Sequence, residues 1–345
     1  MKKNLSPHIS PAWHFTTALL SLLLLFVPLG CADDDAAETG RATVKMIFTT
    51  RASAQADGQA QLANRERMHT LRVIMQNATT GKILYNVFYD KVTDGQKVIT
   101  FQDVPVEENG TTFNFYAIAN EASFLQNGES LDGKELKLEE LYKRKIAIDF
   151  NTEDNKNLPQ AMMNQKFIQP IKATQTHTIQ LEYPVAKVCV HFTNEIEAEQ
   201  TVSNIKIPDL VAKEGTLFPQ ISNAVTKEFP PIVGSDTLDI SFAPKSLKVS
   251  AGKYGGPLGI GEVTPLYVYP AQRSDKNYQL TANWLDETTP KSVNLNATHL
   301  LDNGILRGMQ LNIGIALKYG VMQLSGLTVT VDNWDTADPI YPEFK

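Results

Sequence analysis

Short runs of alternating apolar and polar residues, punctuated by glycine and proline, recur along this chain from Ala42 to Val331. A period of two sends successive side chains to opposite faces, so each such run is a strand with one face free for a core. In 42–50, Val44, Met46 and Phe48 share one face, and Lys45, Ile47 and Thr49 share the other. Strands follow at 71–75 and 83–88, joined by the turn residues 77–81, and then at 98–101 and 112–119. A second series opens at Val185 and gives strands at 185–192, 203–207, 237–242, 265–270, 278–284, 309–317 and 321–331. Leu311, Ile313, Ile315 and Leu317 alternate cleanly, as do Leu327, Val329 and Val331. Leu131, Leu136, Leu138, Leu141 and Tyr142 lie among charges and predict a helix over 131–143. Pro159, Pro170 and Pro184 make 157–184 read as loops and short strands. Many short strands with few helices predict an all-β chain with minor helix, built as two β-sandwiches in tandem, 52–184 and 185–345.

The start of the chain is of a different kind. Lys2 and Lys3 precede a short apolar core from Ala18 to Val27, the charge order of an export signal and too short a run to cross a bilayer comfortably. Leu29-Gly30-Cys31 closes it, followed by Asp33-Asp34-Asp35. A cysteine behind a small residue at that point is the group that a bacterial lipoprotein links to lipid through its sulfur. Residues 1–30 therefore read as a lipoprotein signal peptide and Cys31 as the lipidated residue, with 31–51 a membrane-tethered propeptide that includes the first strand. Cys189 is the second cysteine of two and has no partner once Cys31 carries lipid, so no disulfide framework is expected.

Charge and motif narrow the chemistry. The net charge of −6 comes without a basic stripe, which argues against nucleic acid. The six histidines are scattered without metal-ligand spacing, and neither a Gly-x-Ser-x-Gly elbow nor a phosphate-binding Walker loop occurs. The glycine-rich run Tyr254–Gly261 reads as a loop, and Asp332, Asp335 and Asp338 lack the glycine and closing glutamate of an EF-hand. Cys189 and His191 share a strand face about 6.5 Å apart, too far for a direct hydrogen bond, and predict a quiet thiol. No catalytic, cofactor or metal residue is assigned, and the chain reads as a non-enzyme.

What remains is an arrangement. The strand 42–50 sits directly after the lipid tether and ends at Arg51, and the following residues 52–63 have little apolar bulk and read as an exposed loop. Proteases cut such loops. A cut between Arg51 and Ala52, with Arg65 or Arg67 as fallback sites, frees the body from its lipid and leaves Val44, Met46 and Phe48 without a covalent hold. A sheet that loses a strand exposes unpaired backbone groups and an apolar groove, which an extended segment of another copy can fill. Leu327, Val329 and Val331, within 321–345, have the alternation of such a donor. Head-to-tail exchange of this kind does not close and builds a filament.

The chain is identified as a member of the fimbrillin family of Bacteroidales, lipoprotein-derived subunits of type V pili, by the order and spacing of several short stretches. These are Leu29-Gly30-Cys31, the Thr49-Thr50-Arg51-Ala52 processing region, Leu71-Arg72-Val73-Ile74 with Thr80-Gly81-Lys82-Ile83-Leu84-Tyr85-Asn86, Phe115-Tyr116-Ala117-Ile118-Ala119-Asn120-Glu121, Leu181-Glu182-Tyr183-Pro184-Val185-Ala186-Lys187-Val188, and Val329-Thr330-Val331-Asp332-Asn333-Trp334. The resemblance implies two transthyretin-like β-sandwiches, lipidation at Cys31, transport to the outer membrane surface, cleavage by an Arg-specific protease after the first strand, and polymerisation by strand exchange. The partners it implies are other copies of the chain and related pilus subunits, with the adhesion ligand unspecified and no cofactor. Pro28 and Tyr183 depart from the family pattern. Anchor and tip subunits belong to the same family, and a surface glycan-binding lipoprotein of tandem sandwiches is the alternative from a different class.

Overall fold

The computed structural model describes residues 40–50, 63–218 and 237–331, apart from 94, 107–110, 126–128, 134–135, 139–140, 142–143, 169–173, 254, 272–276, 286–287, 297–299 and 303. Its strands in the first half are β1 (Arg41–Thr50), β2 (Leu71–Asn77), β3 (Ile83–Tyr89), β4 (Gln96–Pro105), β5 (Phe113–Ala119), β6 (Lys145–Ile146), β7 (Met162–Ile168) and β8 (Gln175–Leu181). The second half adds β9 (Ala186–Asn194), β10 (Gln200–Ala212), β11 (Gly215–Thr216), β12 (Thr237–Ser241), β13 (Ser246–Val249), β14 (Gly259–Glu262), β15 (Leu266–Val268), β16 (Gln279–Trp284), β17 (Lys291–Asn294), β18 (Met309–Lys318) and β19 (Val321–Val331).

These strands form two β-sandwiches in tandem. In the first, a three-stranded sheet of order β4-β1-β8 faces a four-stranded sheet of order β3-β2-β5-β7. In the second, the order β14-β9-β18-β19 faces β12-β10-β16-β17, with β15 also on β9 and β13 also on β10. Burying one face of each sheet against the other is what the period-two pattern demands. One core joins Val44, Met46 and Phe48 to Phe101, Phe115, Ile179 and their neighbours through Val185, and the other begins at Ala186. The second half also contributes to the first core: Leu217, Phe218, Tyr267 and Tyr269 pack there, and β11 pairs with β6.

Two local expectations are corrected and a third is made specific. Over 131–143, Leu138 and Leu141 are helical among the described residues, whereas 131–133 and 136–137 are not; Leu131, Leu138 and Leu141 are all buried in the first core. Between 157 and 184 the chain makes two seven-residue strands, β7 and β8. Pro159 and Pro184 flank these strands and do not interrupt their ladders, which is where proline is tolerated; Pro170 lies outside the described residues. The glycine-rich run ends in β14, not in a loop. Here glycine is required by close approach: a Cβ at Gly259 would lie 1.8 Å from the Ser250 carbonyl oxygen.

Candidate strand-exchange site

β1 is the middle strand of its sheet. It runs antiparallel to β4, with Val44 opposite Phe101 and Phe48 opposite Lys97, and parallel to β8, with Val44 opposite Gln175 and Thr50 opposite Leu181. Both of its backbone edges are therefore paired. Val44, Met46 and Phe48 are 0% exposed, and Ala42 and Thr50 at the two ends of the same face are also buried. The other face holds Arg41 and Lys45, which are exposed, and residues of intermediate exposure. Below the strand the core continues as an aromatic ladder, Tyr85 to Phe101 to Phe115, in edge-to-face contacts with centroids 5.2 and 5.3 Å apart. Arg41 lies 3.8 Å from Asp103, an exposed pair that contributes little.

β19 occupies the opposite kind of position. Among the described residues it lies at the edge of its sheet and pairs only with β18, antiparallel from Met309–Val331 to Lys318–Val321. A register irregularity at Gly314/Ile315 shifts its inward set, so that Met322 and Leu327 are both buried while Leu324 and Val329 pack partly against the second core. Val331 is paired through its backbone with Met309. The β18–β19 turn leaves Tyr319 and Val321 exposed, and Gly320 adopts a positive φ of 75°. The two strands singled out in the sequence thus belong to separate cores and are not brought together within one chain. Cys31, Arg51 and Ala52 lie outside the described residues.

A cluster missed by sequence reading lies where the two cores meet. Glu66 is wholly buried; its carboxylate lies 2.9 Å from the Lys187 ammonium and accepts a hydrogen bond from the Tyr267 hydroxyl at 2.5 Å. Tyr183, where the family pattern was broken, donates its hydroxyl to the Glu66 carbonyl oxygen. Burial, with the Glu66 charge adding to it, pushes both tyrosine hydroxyls well up from the ordinary value, so they remain protonated donors. No spacing signal links partners more than a hundred residues apart; only an acid between two arginines, Arg65-Glu66-Arg67, marked the spot.

Cys189 is buried on β9, and burial pushes its thiol up to about 11. At pH 8 the thiolate is then on the order of one part in a thousand. Labelling by a maleimide reagent is expected to be negligible in the folded protein and complete in denaturant; equal labelling in both would place the thiol at the surface. His191, on the same strand, lies 3.4 Å from Glu262 and not against the thiol.

No protein-family model matches the sequence, and no curated protein matches it. Solved structures do. A protein from Parabacteroides distasonis assigned to cell adhesion aligns over 87% of this chain and 98% of its own, with a TM-score of 0.51 and 14% identity. The tip fimbrial protein Mfa3 from Porphyromonas gingivalis, with C-terminal truncation, aligns over 85% of this chain and 99% of its own, with a TM-score of 0.50 and 12% identity. The chain has the fold of these fimbrial and adhesion proteins. At such identities the likeness is one of fold, and its extent takes in residues of both sandwiches of this chain.

Proposed function

We propose that this chain is a structural subunit of a cell-surface fimbria, exported as a lipoprotein through Cys31, cleaved between Arg51 and Ala52, and polymerised when a neighbour's C-terminal segment takes the place of β1. The observation that carries this reading is the position of β1. It is a central strand, fully buried on its inner face, yet it is the first strand among the described residues and is joined to the body through 51–62. Once it is cut free, its departure leaves β4 and β8 as two unpaired edges flanking an apolar slot, and each backbone hydrogen bond restored there is worth about 1 kcal/mol net.

The donor candidate fits in length and direction. β19 has eleven residues against ten in β1. Leu327, Val329 and Val331 have the spacing of Val44, Met46 and Phe48. As an edge strand, β19 leaves its own sheet by giving up a single ladder. The β18–β19 turn lies at the Asn194 end of β9, away from Val185 where the cores meet, so a β19 swung out about Gly320 extends beyond that end of the molecule. Entering another copy from its Arg41 end, such a strand would run parallel to β8 and antiparallel to β4, as β1 does.

Brief treatment of the full chain with trypsin is expected to give a new N-terminus at Ala52 and a ladder of multimers on unheated gels. A protein that stays monomeric after losing β1 would overturn the subunit role. Arg51→Ala is expected to hold the protein as the lipid-bound precursor, and mature protein beginning at Ala52 in that variant would reject the site.

A further inference from the structure

On the reading of the chain as an Arg-processed precursor, we infer that the buried Glu66 cluster is a specificity device that withholds the Arg65 and Arg67 bonds from the processing protease. A protease takes its substrate as an extended, accessible segment and must seat the scissile carbonyl. Here the three successive carbonyls are already held. The Arg65 oxygen accepts from the Gln160 amide at 2.7 Å, the Glu66 oxygen accepts from the Tyr183 hydroxyl, and the Arg67 oxygen accepts from Asn120 Nδ2 at 2.9 Å. Asn120 Oδ1 in turn accepts from the His69 and Thr70 amides, fixing the chain beyond.

The side chain that such a protease must capture is also engaged. The Arg65 guanidinium donates to the Phe150 and Asn155 carbonyls and stacks 4.5 Å from the centre of the Tyr267 ring. Between the two arginines, Glu66 is 0% exposed and is held by Lys187 and Tyr267, both from the second half of the chain. Its other oxygen accepts from the Ala63 amide, so the hold reaches the start of the described segment. Cleavage after Arg65 or Arg67 requires this segment to open, and cleavage of a folded segment tracks the population of its opened form. The device therefore fixes where trimming stops: upstream of Ala63, with the first strand removed and the contact between the cores intact.

The test is timed digestion of the full chain, in detergent, with an arginine-specific endoprotease, with the cleaved bonds read by mass spectrometry. The wild type is expected to be cut after Arg51 and to resist cutting after Arg65 and Arg67 for at least ten times as long. Glu66→Gln, which leaves the Lys187 ammonium without its counter-charge, is expected to speed cutting after Arg65 and Arg67 at least tenfold with cutting after Arg51 unchanged. Tyr183→Phe removes only the bond to the Glu66 carbonyl; it is expected to speed the same two cuts several-fold and keeps the test open should Glu66→Gln fail to fold. Wild type cut after Arg65 or Arg67 as readily as after Arg51, or a folded variant as resistant as wild type, would overturn the inference. These readouts need no polymer, so a chain that shows the protection but never assembles would refute the fimbrial reading and leave the device standing.

Discussion

Phe48→Ala is expected to destabilise the uncleaved precursor strongly and to leave the finished filament unchanged. Phe48 is wholly buried in the first core, and truncating such a side chain to Ala costs about 3–5 kcal/mol through lost transfer energy and the cavity left behind. For a sandwich of this size that is a fall in melting temperature on the order of 10 °C. In the proposed assembly β1 is discarded and its slot refilled by another copy, so the substituted residue is absent from the product. Calorimetry of the precursor and thermal dissociation of filaments grown from it measure the two halves of this expectation. A filament weakened as much as the precursor would mean that β1 is retained, and strand exchange at this slot would be refuted.

A disulfide between Ala316→Cys and Gln323→Cys is expected to abolish polymerisation until a reductant is added. These positions face each other across the β18–β19 ladder, so an oxidised pair pins the candidate donor to its own sheet. Antiparallel partners of this kind approach the Cβ separation that a disulfide needs. Export and cleavage after Arg51 are expected to proceed as in the wild type, because the staple lies in the other sandwich. Unboiled gels with and without reductant read the outcome. Filaments that grow equally in the oxidised form would exclude β19 as the donor and move attention to the residues after Val331. The pair leaves Met322 and Leu327 in place, which deletion of 321–345 would not; deletion would also strip part of the second core and confound folding with assembly.

Much of this fold was legible because alternation reports directly on burial in a sandwich. Val44, Met46 and Phe48, and Leu311, Ile313, Ile315 and Leu317, point inward as their period requires. The reading failed where a local signal competed with a tertiary one. The leucines between 131 and 143 have helical spacing, but Leu131 reaches the first core from a described stretch, 131–133, that is not helical. Gly259 and Gly261 look like loop residues until the neighbouring backbone is seen to press against them. In the candidate site, the inner face of β1 was visible in the sequence. Its place between one parallel and one antiparallel neighbour was not, because strand order depends on pairings with β4 and β8 far along the chain. The Glu66 cluster lay further out of reach, since Lys187, Tyr183 and Tyr267 become its partners only once both sandwiches are assembled.

In the proposed assembly, the placement of β1 and β19 in separate sandwiches has a consequence at the scale of the fibre. The slot lies in one sandwich and the donor strand in the other, so each joint is head-to-tail and every link in a row of such subunits is laid down with the same sense. The row is then an arrow whose two ends differ chemically, one presenting a vacant cleft and the other an idle tail. Starting such a fibre and stopping it become separate tasks, each met by a molecule that supplies only one half of the joint.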